Sequence, residues 1–173
     1  KNTIDPEKMI EAYGADSVRL FILSDSPPEK DVQWSDSGMS SAFKYIQKFW
    51  LMSEKISSIL KTENSNPNKD LDIFTNQAIN KINFALEKFR YNVIIAVFHE
   101  IYSYYSKIAE SKTHYSNLKD NYEKILVVMT PVIPHLANEC LDKIHEKNVI
   151  KWPNIKKEFI EKNITNIVIQ VNG

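Results

Sequence analysis

Apolar residues recur at intervals of three and four along most of the chain, the period of a helix face. The greasiest stretch, residues 91–108 (YNVIIAVFHEIYSYYSKI), places Val93, Ile94, Val97, Ile101, Tyr104, Tyr105 and Ile108 on one stripe. Ile95, Ala96 and Phe98 widen that stripe until only His99, Glu100 and Ser103 mark an exposed edge. Such a segment belongs at the centre of a helical bundle. It is too short and too polar at its ends to cross a bilayer, which takes about 20 mostly apolar residues.

The flanking pattern predicts further helices. Asp5-Pro6 opens a helix of about two turns with Met9, Ile10 and Tyr13 on its apolar side, and Gly14 ends it. Asp16 caps a second short helix in which Val18, Leu20, Phe21, Ile22 and Leu23 are mostly inward. Arg19 is the lone charge there: a solvated edge residue, half of an ion pair, or a cap on backbone carbonyls. Residues 24–36 read as an ordered loop stiffened by Pro27 and Pro28 and anchored by Trp34. Ser35 or Asp36 then caps a long helix lined by Met39, Phe43, Ile46, Phe49, Trp50, Ile56, Ile59 and Leu60, ending near Thr62. The asparagine-rich stretch around Pro67 is a surface loop and the segment expected to be most mobile. A helix over 72–89 follows, with Phe74, Ala78, Ile82, Ala85, Leu86 and Phe89 inward, before a tight corner at 90–92.

Beyond a polar corner, Leu118, Tyr122, Ile125, Leu126 and Met129 define another helix, interrupted by Pro131 and Pro134. Pro134 opens a last one over 135–144, with Leu136, Ala137, Cys140, Leu141 and Ile144 inward. Trp152 docks back on the bundle. The period then changes to two in 163–173, with Ile167, Ile169 and Val171 on one side, and the text closes on the hairpin pair Asn172-Gly173. That pattern predicts the first strand of a following domain. With no initiating methionine at Lys1, the chain reads as a piece of a longer protein.

Composition narrows the function. Three glycines among 173 residues are too few for a nucleotide-binding α/β fold, and no glycine-rich phosphate cradle is present. Twenty-two basic residues balance 22 acidic ones, which does not suggest a strongly basic nucleic-acid module but permits a local positive face. The single cysteine, Cys140, excludes an internal disulfide and lies on an apolar stripe as core, not nucleophile. No signal peptide is visible. His99, His114, His135 and His145 are scattered, with no zinc spacing. Asp25, Glu29, Asp31 and Asp36 fit no calcium loop and read as a solvated acidic loop. No catalytic residue, metal ligand or cofactor-binding residue is expected within the chain. What remains is recognition: Lys44, Lys48 and Lys55 on one long helix, and Lys81, Lys88 and Arg90 on the next, form a candidate ridge for a phosphate backbone.

Several segments together resemble leucyl-tRNA synthetase, a class I aminoacyl-tRNA synthetase, of the bacterial or organellar type. KNTIDPEKMIEAYGADSVRLFIL is similar to the text that follows the family's KMSKS signature, and Lys1 only adjoins that loop. PPEKDVQWSD is the sharpest match and separates the leucine enzyme from its isoleucine and valine relatives, which share the general YGAD–R pattern. FRYNVIIAVFHEIY, MTPVIPHLANECLDKI, VIKWP and VIQVNG resemble later family segments, so the likeness covers essentially the whole chain. Departures include Asp142 where the family has tryptophan and Val93 where it has threonine.

The resemblance implies an all-α bundle of the anticodon-binding type. Residues 1–36 would form a stem-contact region, 37–153 the bundle, and 154–173 a linker with the first strand of a C-terminal domain. The parent enzyme would join leucine to tRNA(Leu) using ATP with magnesium, in the cytoplasm and as a monomer. This part would be non-catalytic, touching the tRNA body and bracing the catalytic and C-terminal domains of its own chain. Ile10, Tyr13, Phe21 and Trp34 are the expected interdomain patch, left exposed here. The competing readings are the equivalent domain of an isoleucyl or valyl enzyme and a helical scaffold that binds no RNA.

Overall fold

The computed structural model describes residues 4–25, 30, 33–144 and 151–160, and among them the chain is an all-α bundle of seven α-helices. The helices are α1 (Pro6–Tyr13), α2 (Ala15–Asp25), α3 (Asp36–Ile59), α4 (Lys69–Glu87), α5 (Tyr91–Ser111), α6 (Leu118–Met129) and α7 (Pro134–Ile144), followed by a 3-10 turn over Lys157–Phe159. The strand expected in 163–173, Pro27, Pro28, Glu29, Asp31, His145 and the Asp25 side chain lie outside the described residues.

Local chemistry sets most of the helix ends. The Asp5 carboxylate accepts from the Glu7 amide at 3.0 Å with Pro6 in the first turn. Gly14 closes α1 at φ 79°, a left-handed-side conformation that glycine adopts without a Cβ penalty. Ser35, of the two candidates, caps α3 by accepting from the Gly38 amide at 3.1 Å. Asn68 caps α4 by accepting from Asp70 and Leu71.

Helix α5 packs against α2, α3 and α4, and Ile94, Val97, Phe98, Ile101 and Tyr105 are at most 2% exposed, as its stripe predicts. Helices α6 and α7 complete the core with Tyr122, Leu126 and Cys140. Three large apolar residues expected inward are exposed instead: Ile22 at 47%, Phe89 at 63% and Val93 at 41%. For Phe89 the cause is the way α4 ends: it takes φ 53°, and the Arg90 amide donates to the Ala85 carbonyl at 2.8 Å. This left-handed closure turns the chain before the stripe would have carried Phe89 inward.

The asparagine-rich loop, at the surface as expected, is hydrogen-bonded to the corner before α6. The Ser65 amide donates to the His114 carbonyl at 2.6 Å, and the Ser116 amide donates to the Ser65 carbonyl. Asn68 and Asn117 exchange two bonds, amide to side-chain oxygen and side-chain amide to carbonyl. Trp152 docks as expected: its indole N–H donates to Asn83 Oδ1 at 3.1 Å, although the ring stays 43% exposed.

Burial lifts the phenols of Tyr45, Tyr105 and Tyr122 above their ordinary range near 10 and pushes the Cys140 thiol up to about 11. A group raised in the folded state stays protonated there while its unfolded counterpart ionises, so its contribution is full below the unfolded value and falls as pH rises. The bundle should therefore unfold cooperatively in alkali. A spectrophotometric titration should show part of the phenolate absorbance appearing only as helical circular dichroism is lost. Full tyrosinate absorbance with intact helicity would contradict the buried placement.

Candidate nucleic-acid interface

The motif text of α2 does its work 112 to 120 residues downstream. Asp16 is 6% exposed and faces the start of α7, accepting from the Leu136 amide at 2.6 Å and lying 2.9 Å from His135 Nδ1. It was expected to cap its own helix. It caps α7 because the residue before Pro134 is the apolar Ile133, which has no side-chain acceptor to offer. A carboxylate there also meets the positive end of the α7 dipole. Arg19 resolves as the carbonyl cap: Nε donates to the Val132 carbonyl at 2.8 Å and Nη2 to the Pro131 carbonyl at 2.7 Å. One short helix thus clamps both sides of the proline corner between α6 and α7.

Around this clamp lies an apolar groove of about 680 Å³ bounded by Tyr13, Ile46, Trp50, Leu51 and Leu136, with His135 and Glu139 also lining it. Ile10 is 45% exposed and Leu51 is 61% exposed, so the apolar surface continues beyond it. Tyr13 is half-buried, its ring edge-on to Phe43. Trp34 is also half-buried: its indole N–H donates to Asp36 and its ring meets Phe21 at 5.2 Å. Phe21 does not belong to an exposed patch. It is 5% exposed and covered by α3 of its own chain, so closely that a Cβ on Gly38 would sit 2.8 Å from its Cε2.

The six basic residues divide into separate groups. Lys44, Lys48 and Lys55 are exposed on α3 and form no ion pair among the described residues. Lys81 on α4 is held 2.7 Å from Glu100 on α5. Lys88 and Arg90 sit at the α4–α5 corner. The outer stripe of α5 separates the α3 group from Lys81, and it carries Glu100 and Glu110 as well as Lys107. The positive surface is accordingly broken. His99 adds no charge to it at neutral pH, because partial burial lowers its pKa from the usual value.

Lys48 and Lys55 do meet in space. With Tyr102 and Ser106 of α5 they border a cleft of about 160 Å³ between α3 and α5. The sequence drew attention to Tyr104 and Tyr105 on the inward stripe and passed over Tyr102 and Ser106. Their spacing of four beside that stripe was the available signal. Among the described residues no group of three or more His, Cys, Asp or Glu side chains could hold a metal ion, and no helix is long and apolar enough to cross a membrane.

Residues 68–173 match the family described as the anticodon-binding domain of tRNA ligase. The chain belongs to that family. Its resemblance to leucyl-tRNA synthetase is borne out along its length. The leucine–tRNA ligase of Fusobacterium nucleatum is 31% identical over 188 residues, covering 99% of this chain and 22% of that protein. That of Roseobacter denitrificans is 31% identical over 100% of the chain and 20% of the relative, and that of Rickettsia bellii 34% over 100% and 21%. The chain therefore spans about a fifth of the length of these relatives. A crystal structure of a LeuRS–tRNA–LeuAMS ternary complex from Agrobacterium radiobacter superposes on 92% of this chain and 22% of its own with a TM-score of 0.78. At 20% identity that likeness establishes the fold.

Proposed function

We propose that this bundle is the tRNA-body-contacting and domain-bracing part of a leucine–tRNA ligase. The observation that carries the reading is the similarity to leucine–tRNA ligases from end to end of the chain. In that setting the whole enzyme converts ATP, leucine and tRNA(Leu) to leucyl-tRNA(Leu), AMP and diphosphate in the cytoplasm. It does so as a monomer, with ATP and magnesium held outside this bundle. The unpaired lysines of α3 serve the RNA backbone, with Lys88 and Arg90 as a second approach. Lys81, neutralised by Glu100, has the weakest claim among the six.

The apolar groove, together with Ile10, Tyr13 and Trp34, is the seat for the catalytic part of the same protein. A surface so apolar seldom stays open to water on a finished molecule. The 1–36, 37–153 and 154–173 divisions describe the linking, bundle and outgoing stretches in this scheme. The structure adds that Val18, Leu20 and Phe21 share one core with the bundle.

Contacts made through phosphates carry no sequence information and weaken steeply with salt. The chain should bind tRNA(Leu) and a tRNA for another amino acid about equally at low salt and lose both as salt rises, measured by filter binding. Absence of binding at low salt would overturn the RNA-contacting half of the proposal and leave the bracing half standing.

A further inference from the structure

We propose that the cleft between α3 and α5 bordered by Lys48, Lys55, Tyr102 and Ser106 is a seat for one phosphate group. Its use for a backbone phosphodiester of tRNA rests on the function proposed above. Lys48 and Lys55 stand two helical turns apart on α3, too far for one to serve as the other's neighbour in a simple row, yet both border the same space. Tyr102 and Ser106, one turn apart on α5, border it from the facing helix, and each carries a hydroxyl.

Ser106 gives the strongest sign that something belongs there. Its Oγ is buried and has no hydrogen-bond partner, although a hydroxyl removed from water without a partner costs about 1–3 kcal/mol. A helical serine can satisfy itself on the carbonyl four residues back, as Ser41 does with Ser37 at 2.8 Å and Ser58 with Glu54 at 3.0 Å. Ser106 does not. A turn of the Ser106 side chain to another staggered rotamer would offer that donor to an acceptor oxygen in the cleft.

The charge in the cleft suits a phosphodiester. Two lysines and Glu110, which also borders it, leave one net positive charge, matching the single negative charge of a backbone phosphate. A volume of about 160 Å³ has room for a compact anion. Met52 and Ala109 give the floor an apolar character, which strengthens each charge-assisted bond by excluding water.

Two measurements test the proposal. In the first, inorganic phosphate is titrated into the chain and followed by amide NMR. Residues 48, 55, 102 and 106 should shift together, and Tyr102→Phe with Ser106→Ala should abolish the shifts. In the second, tRNA binding is measured against salt. The pair of hydroxyl substitutions should weaken binding about tenfold with the salt slope unchanged, since neutral groups release no counterions. Lys48→Gln with Lys55→Gln should flatten the slope by about one, the value for one shared phosphate, instead of about two for separate ones.

Circular dichroism melts confirm that the variants are folded. Phosphate shifts without any tRNA binding would uphold the seat and reject its use for RNA. Unmoved amides together with wild-type tRNA affinity in the hydroxyl variant would overturn the seat while leaving the RNA-contacting function intact.

Discussion

Val97→Asp should abolish the cooperative thermal transition of the chain. Val97 is 2% exposed on α5, the helix that packs against α2, α3 and α4. A carboxylate placed in this apolar core must either stay charged there or take up a proton. Either course costs several kcal/mol, against a total stability of about 5–15 kcal/mol for a domain. Val93→Asp is the internal control. Val93 lies one turn earlier on the same helix but is 41% exposed, so its substitution should change stability by no more than about 0.5 kcal/mol. Equal melting curves for the two variants would show that the central face of α5 is misassigned.

Asp16→Ala should be the most damaging polar substitution. It leaves the Leu136 amide without its acceptor and strips the start of α7 of its cap, at a cost of about 2–3 kcal/mol. For a chain of this size that lowers the melting temperature by about 5–10 °C. Magnitudes separate the two bonds Asp16 makes. Its bond to the Leu136 amide is buried, whereas the His135 side chain is 73% exposed and its share is screened by water. His135→Ala should therefore cost less than about 1 kcal/mol, and hydrogen exchange at Leu136 should accelerate in Asp16→Ala alone. A histidine variant as unstable as the aspartate variant would place the stabilisation in the imidazole instead of the backbone cap.

The contrast between these residues shows what a sequence can disclose. Spacing of three and four revealed the inward face of α5 because burial of Ile94, Val97, Ile101 and Tyr105 follows from helix geometry alone. The caps at Asp5 and Ser35 were legible for the same reason: donor and acceptor lie within three residues. Asp16 looked like another such cap. Its partner is 120 residues away, and no local signal distinguishes the two uses of an aspartate. Phe89 was assigned inward by carrying the stripe of α4 to its last residue, where the helix has already closed; a phenylalanine at φ 53° is not a position that propensity would nominate.

The candidate site was partly legible. Lys48 and Lys55 could be placed on one helix from their spacing, but their common cleft needs Tyr102 and Ser106 from a helix about fifty residues later. The pairing of Lys81 with Glu100 is likewise a relation between helices. Counting charges gave each of the six basic residues equal standing, and tertiary contacts removed that equality.

The clamp formed by Asp16 and Arg19 imposes a schedule on synthesis. Helix α2 leaves the ribosome long before the corner it holds, and Leu136 follows Asp16 by 120 residues. At 5–20 residues per second the wait is about 6–24 s. Within it α3, α4 and α5 can pair with their sequence neighbours, but Asp16 has no amide to accept from and Arg19 no carbonyls to hold. Closure of the bundle is therefore a late event in the life of the nascent chain, and an aspartate that stabilises the finished fold contributes nothing to its early intermediates.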